Sequence, residues 1–403
     1  MTAETPPPAG RAPRRLAIRG GTPRFASPLH VGRPNLGDRE AFFRRAGEAF
    51  DRCWLTNNGE LLVEFENRLT DILGVRHCIA VCNGTVALQM AIRALELQGE
   101  VIVPSFTFVA TVHALAWMGL TPVFCDIDPV THSLDPHGVE RCITPRTSGI
   151  MGVHLWGRPC DVESLEGLAR ANGLHLLFDA AHAFGSARRG RMIGNFGAVE
   201  AFSFHATKII NTFEGGALTT NDDDLADRLR VVRNFGFAGK DFTEAIGTNG
   251  KLNEISAAMG LTSLDSHARF VAAHRRHYET YRGRLDGVAG IRFMEHDGGE
   301  RGNYPYIVIE VDAGDGGLDR DLLYRVLRAE NILARRYYWP PCHLVEPYRT
   351  RYPEAADRLP VTASVSRRVL ALPTGTALAE ADVHGVCDVI ESAVAQAPDL
   401  TAS

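Results

Sequence analysis

The stretch FSFHATKIINTFEGG, residues 202–216, carries Lys208, one of three lysines in a chain whose 43 basic residues are otherwise arginine. A lysine amine can shed a proton and attack a carbonyl, whereas a guanidinium stays charged. Other residues able to join such chemistry stand at the ends of apolar runs. LHLLFDAAHAFG delivers Asp179 at the end of one run and His182 shortly after it, and AFSFHATK places Ser203 ahead of Lys208. CNGTVAL sets Gly84 and Thr85 at a helix start, where free backbone amides and the helix dipole favour a phosphate. PSFTFVAT supplies Phe108, a flat ring able to stack on another.

A lysine amine, a buried carboxylate and an anion cradle are together what pyridoxal 5'-phosphate requires. The carboxylate bears most on reactivity, because a protonated ring nitrogen makes the cofactor a far better electron acceptor. A charge pair about 4 Å apart contributes about 4 kcal/mol even at an effective dielectric of about 20. Each residue also has an ordinary reading when taken singly: Asp179 as a strand-end cap, His182 as a core histidine, Phe108 as core, Gly84-Thr85 as a plain helix start. CDIDP, with Asp126 and Asp128, reads as a turn after a strand rather than a metal pair, and NDDD at 221–224 as an acidic helix start.

These side chains need a scaffold that brings strand ends together. From about residue 60 to 220 helical and strand-like segments alternate, the pattern of a mostly parallel sheet covered on both faces. TVALQMAIRALELQG has helical spacing, with Thr85 as its candidate cap and Gly99 just past its end. EVIVPSF, TPVFCDI, GIMGVHLWG, LHLLFDAA and AVEAFSFHA are short apolar runs of buried-strand type. Ligands of such sheets collect beyond the carboxyl ends of the strands, where Asp179 and Ser203 fall. From 252 to 280 the pattern is continuously helical, and strand and helix signals then resume. The reading is an α/β chain: a disordered arm over 1–20, a large domain with an N-terminal segment over 21–275, and a smaller C-terminal α/β domain over 276–403.

The chain has 403 residues, 45% of them apolar and 23% charged, enough for a large core. A net charge of −5 gives no footprint for nucleic acid, and no apolar run approaches the roughly 20 residues that cross a bilayer. The first 15 residues, rich in proline, lack the apolar segment of a signal peptide, so a cytoplasmic location is expected. Eight cysteines are scattered without a CxxC pair or spaced histidine partners, which points to reduced thiols and to no metal site.

The ordered set NGT, PSFTF, DAAHA, SFHATK, FEGG and GTN resembles the DegT/DnrJ/EryC1/StrS sugar aminotransferases, over nearly the whole chain. The resemblance implies a fold type I pyridoxal phosphate-dependent transferase with Lys208 bonded to the cofactor and Asp179 paired with its ring nitrogen. It further implies Phe108 stacked on the ring, His182 near the ring hydroxyl, and Gly84, Thr85 and Ser203 on the phosphate. Asn249, in GTNGKLNE, matches an asparagine that relatives reach across to the other subunit's phosphate, so a homodimer with a shared active site is implied. A second set, VGRPN, WLTNNG, VHLWGRPC, NFGF, AAMGLTSLD and LPTGT, is similar to nucleotide-linked 4-keto-6-deoxyglucose 4-aminotransferases of antibiotic sugar pathways. That implies a TDP-linked ketosugar and L-glutamate as substrates, with Tyr337 and His343 of RRYYWPPCH toward the sugar. The chain departs from many members at NTFEGG, where they read TTGEGG, and again at RRYYWPPCH. Amination at C3 is the alternative, since it needs the same lysine. Family dehydratases with histidine in place of lysine are disfavoured by Lys208. A non-enzymatic cofactor-binding regulator would predict loss of Lys208 or a fused DNA-binding segment, and neither is present.

Overall fold

In a computed structural model, which describes residues 14–296, 301–314 and 317–401, the apolar runs become a seven-stranded sheet in the order β2-β10-β9-β6-β5-β3-β4. Its strands are β2 (His77–Val81), β3 (Glu100–Pro104), β4 (Thr121–Cys125), β5 (Thr147–Val153), β6 (His175–Asp179), β9 (Val199–Ser203) and β10 (Gly216–Thr220). Only β10 runs against the others. The small hairpin β7 (Ala187–Arg188) and β8 (Arg191–Met192) lies outside it.

The strands are apolar throughout because both faces are covered, and successive side chains point to opposite faces. Ile102, Ile150, Phe178 and Ala217 enter one core, while their neighbours Val101, Met151, Leu177 and Leu218 enter the other. The first core is covered by α2 (Glu60–Leu73) and α6 (Val162–Asn172), with α1 (Arg39–Asp51) outermost and α5 (Pro136–Cys142) beside α6. The second is covered by α3 (Gly84–Ala94), α4 (Val109–Trp117) and α7 (Asp223–Arg233). Helix ends follow their local chemistry. Asp161 caps α6 through the Ser164 amide, and Gly173 ends it at φ 64. The NDDD segment opens α7, with Asp222 as the cap and Asp223 and Asp224 in the first turn.

The expected continuous helix is two: α8 (Glu254–Asp265) and α9 (His267–Leu285), parted at Ser266. Helix α9 carries the chain into a smaller unit built on the antiparallel sheet β11 (Ile291–Phe293), β12 (Ile307–Val311) and β14 (Val369–Leu372), with α10 (Arg320–Ala329) and the helix Glu380–Ala395 packed on it. Tyr278, Tyr281 and Leu285 of α9 enter that smaller core, so the expected boundary at 275 falls inside a helix.

The N-terminal reading needs correction. Residues 1–13 of the expected arm lie outside the described residues, but 14–20 are ordered: Leu16 is fully buried and Ala17–Arg19 forms a 3-10 turn. Buried Glu330 accepts the amides of Ala17 at 2.7 Å and Arg24 at 2.6 Å and pairs with Arg14 at 2.8 Å. Leu16, Phe25 and Leu29 pack into the smaller core, and β1 (Leu29–His30) pairs in parallel with β13 (Ile332–Leu333). The segment therefore belongs with the smaller unit rather than the large one. Of these three apolar anchors only Leu16 falls within the expected arm, just past its proline-rich stretch. The pairing of β1 with β13 also brings the segments after them, 30–34 and 335–338, to the same cavity.

Candidate active site

Beyond the carboxyl ends of β5, β6 and β9 lies a cavity of about 710 Å³, lined by Gly84, Thr85, Phe108, Asp179, His182, Ser203, Lys208 and Tyr337 among others. Eight of the ten residues singled out in the sequence thus meet at one place, brought from positions more than 250 apart in the chain.

Asp179 ends β6 and is 7% exposed. The Thr111 hydroxyl donates to its Oδ2 at 2.7 Å and the Ala181 amide to its Oδ1 at 3.0 Å, so both oxygens are held. Thr111 in turn contacts the hydroxyl of Thr107 at 2.9 Å, one helical turn earlier. Burial lowers the Lys208 amine to about 8, against the opposing pull of the Asp179 charge. About a tenth of the amine is therefore neutral at pH 7, far more than for an ordinary lysine. Capture of an aldehyde by Lys208 in the cofactor-free protein, trapped with borohydride and quantified by peptide mass, is expected to rise with pH through about 8 rather than about 10.4, the ordinary lysine value.

His182 is 8% exposed and is held neutral, pushed well below its ordinary range by burial and by the Lys208 charge. Its Nδ1 is buried without a partner among the described residues, while its Nε2 lies 3.4 Å from the Tyr338 hydroxyl. Phe108 stands just ahead of α4 and is 56% exposed, an apolar residue at the cavity wall.

The anion cradle differs in detail from expectation. Asn83, not Thr85, caps α3: its Oδ1 accepts the Val86 amide at 2.8 Å, because Asn83 takes the extended conformation a cap requires. This leaves Gly84 and Thr85 in the first turn, facing the cavity. Glycine is required at 84, since a Cβ there would come within 2.9 Å of the Ser203 Cβ.

Two of the expected residues do not line the cavity. His343 is 1% exposed and bonded to Ser105, the side chains meeting at 2.6 Å, and Cys342 donates to the Ser105 carbonyl at 3.0 Å. It fastens the 340–345 segment to the end of β3, so its expected contact with the sugar is not supported. Asn249 is exposed, bridged to Asn234 near the start of α3 but outside this chain's cavity. Sequence reasoning missed Thr111, Tyr306 and Tyr338. Thr107 and Thr111 are spaced four apart across a helix start, a signal for one shared face; Tyr306 and Tyr338 enter through strand and loop ends that no spacing rule connects.

A model of the DegT/DnrJ/EryC1/StrS aminotransferase family matches residues 37–391. The chain belongs to that family. A dTDP-4-amino-4,6-dideoxy-D-glucose transaminase of Escherichia coli is 37% identical over 354 residues, covering 87% of this chain and 95% of that protein. A dTDP-3-amino-3,4,6-trideoxy-alpha-D-glucose transaminase of Streptomyces venezuelae is 36% identical, covering 82% of this chain and 86% of its own. The crystal structure of DesI in the presence of its TDP-sugar product is 47% identical, with a TM-score of 0.91, covering 97% of this chain and 99% of that one.

As a DegT/DnrJ/EryC1/StrS aminotransferase, this is a pyridoxal phosphate-dependent enzyme. Its residues fit the group on structural grounds alone. The cavity holds a partly neutral lysine, a carboxylate fixed at both oxygens, a neutral histidine with an unpartnered nitrogen and a helix start where only glycine fits. Among the described residues no helix is long and apolar enough to cross a membrane, and no cluster of His, Cys, Asp or Glu could hold a metal.

Proposed function

We propose that the enzyme transfers an amino group from L-glutamate to the C4 keto group of a nucleotide-linked, TDP-type 4-keto-6-deoxyhexose in deoxyaminosugar biosynthesis. The observation that carries this reading is the 47% identity, over 97% of the chain, to DesI, whose structure contains a TDP-sugar product. The 4-amino sugar named for the Escherichia coli relative agrees with it. The cofactor, when bound, supplies an electron sink for the bond to the proton lost at the substrate carbon.

The chain's residues then divide the work. Lys208 Nζ accepts and returns that proton, as its lowered basicity permits. Asp179 keeps a negative charge against the ring nitrogen, with Thr111 and Ala181 holding the carboxylate in place. With the cofactor bound, Phe108 would stack on its ring, His182 would stand toward the ring hydroxyl, and Gly84, Thr85 and Ser203 would hold the phosphate. Tyr337, Tyr306 and Tyr338 wall the sugar side and exclude water. Glutamate and ketosugar use the cavity in turn, a ping-pong scheme.

The active unit in this reading is a homodimer in which Asn249 completes the partner's phosphate site. Its exposure outside its own chain's cavity supports this, as do the exposed apolar Phe43, Phe50, Trp54 and Leu55 on and after α1. The 36% identity to a 3-amino sugar transaminase favours C3 amination as the second reading. Incubating the loaded enzyme with glutamate and TDP-4-keto-6-deoxyglucose, then locating nitrogen in the product by NMR, separates the two. Nitrogen at C4 and matching release of 2-oxoglutarate support the reading; turnover of the 3-keto isomer alone overturns it.

A further inference from the structure

Lys208 lies between β9 and β10 in no regular element, so no strand ladder fixes it. Its own amide bonds the His205 carbonyl at 2.9 Å and Thr212 bonds back to Phe204 at 2.9 Å, which shapes the turn without tying it to anything outside. A principal outside tie is Asn35 of VGRPN, 2% exposed and not lining the cavity. Its Nδ2 donates to the carbonyl of Ile209, the residue after Lys208, at 3.3 Å and to His274 Nε2 at 3.1 Å. Its Oδ1 accepts the amide and the hydroxyl of Thr376, from LPTGT, at 3.1 Å each. Its backbone carbonyl accepts Asn211 Nδ2 at 2.9 Å, and Ser263 of α8 donates to the Asn211 carbonyl at 2.9 Å.

The amide orientation follows from its neighbours. The Thr376 amide can only donate, so Oδ1 faces it. His274 Nδ1 meets the Tyr304 carbonyl at 3.1 Å, an acceptor only, so the ring proton is on Nδ1 and Nε2 accepts. Every hydrogen and lone pair of the Asn35 side chain is then used. Asn211 is where this chain departs from the TTGEGG of many relatives, and its Oδ1 also accepts, at 3.3 Å, the amide of Phe213, a residue at φ 65 where those relatives have glycine.

We propose that Asn35 is a positioning residue for Lys208, holding the lysine turn against the N-terminal segment, α9 and the 372–376 loop at once. The role rests on the cofactor assignment of Lys208 given above, but the first measurement below does not. Asn35→Asp keeps the shape and turns Nδ2 into an acceptor facing two acceptors, Ile209 O and His274 Nε2. A proton on His274 Nε2 or on the new carboxyl itself relieves the clash, and both are favoured as pH falls. Other charged or titratable groups near this node are His277 and Arg269 on α9, the latter bonded to the Leu36 carbonyl, Lys208 beside Ile209, and Tyr304; they are common to both proteins, so the variant is read against wild type at each pH.

In wild type, burial holds His274 at about 4, so its neutral form contributes stability that is present above about 6.5 and lost as pH falls toward 4. In the variant the preference reverses. The deficit in Tm relative to wild type is expected to be large at pH 8 and to shrink by at least about half at pH 6. Cofactor affinity, from the spectral titration, is expected to be weakened at least about tenfold at pH 8 and to recover in part at pH 6. A Tm deficit independent of pH, or unchanged cofactor affinity at pH 8, overturns the proposal. Should Asn35→Asp fail to fold, Thr376→Val removes one donor to Oδ1 and Thr376→Ser restores it. Weaker cofactor binding in the first and recovery in the second support the role, and Thr376→Val binding as wild type does would sink it.

Discussion

Replacing Lys208 with alanine is expected to lower turnover by at least about 10⁴-fold while leaving the protein folded. The reason lies in what else the cavity offers. His182 is pushed well below the ordinary histidine range, so it is too weak a base to take a carbon-bound proton. Tyr338 is raised well above the ordinary tyrosine range by burial, and so yields no phenolate at neutral pH. His154, although it lines the cavity, is stacked on Phe178 and bonded to Glu200 at 3.1 Å, with its Nδ1 occupied by the Cys160 amide. None of these three groups can substitute for the Lys208 amine. Lys208→Arg should fail equally, because its guanidinium keeps its proton. Added methylamine is expected to restore about tenfold or more of activity to the alanine variant, since the hole left by the side chain admits a small amine. Turnover above about 1% of wild type in Lys208→Ala, without added amine, would remove the lysine from its proposed role.

How far the sequence revealed this site depends on which force places each residue. Asp179 and Ser203 were legible because a buried parallel strand must be apolar along its length, so a polar residue at its carboxyl end stands out. Lys208 was legible through its rarity among arginines. The cap of α3 was misread as Thr85 because Asn83 and Thr85 are both good capping types, and only the backbone at Asn83, extended at φ −170 and ψ 167, decides between them. His343 was misassigned because a histidine beside an active-site segment looks alike in sequence whether it faces the cavity or Ser105. Ala17 and Glu330 escaped notice for a different reason: their hydrogen bond joins residues 313 positions apart, and no local pattern encodes a contact at that separation. Asn35 is of the same kind, visible in VGRPN as a motif but without a role until Ile209, His274 and Thr376 stand around it.

Asp179→Asn is expected to reduce kcat by about 10³-fold, corresponding to loss of about 4 kcal/mol from a charge pair near 4 Å at moderate dielectric. The substitution keeps the shape: the amide oxygen can keep the Ala181 amide while its NH2 donates to the Thr111 hydroxyl, which turns to donate to Thr107, so the fold should be undisturbed. What disappears is the charge proposed to keep a proton on the cofactor's ring nitrogen. A second consequence is independent of turnover and carries a definite sign. The Asp179 charge raises the Lys208 basicity against the lowering effect of burial, so its removal must move the lysine below about 8. Aldehyde capture by Lys208 in the cofactor-free variant should therefore begin at lower pH than in wild type, even as catalysis collapses. Thr111→Val retains the carboxylate and removes one of its two donors, which should cost kcat only about tenfold and shift the capture midpoint little. If Asp179→Asn and Thr111→Val were to lose activity equally, the carboxylate's charge would not be the source of the effect, and its hydrogen-bonded geometry would have to be.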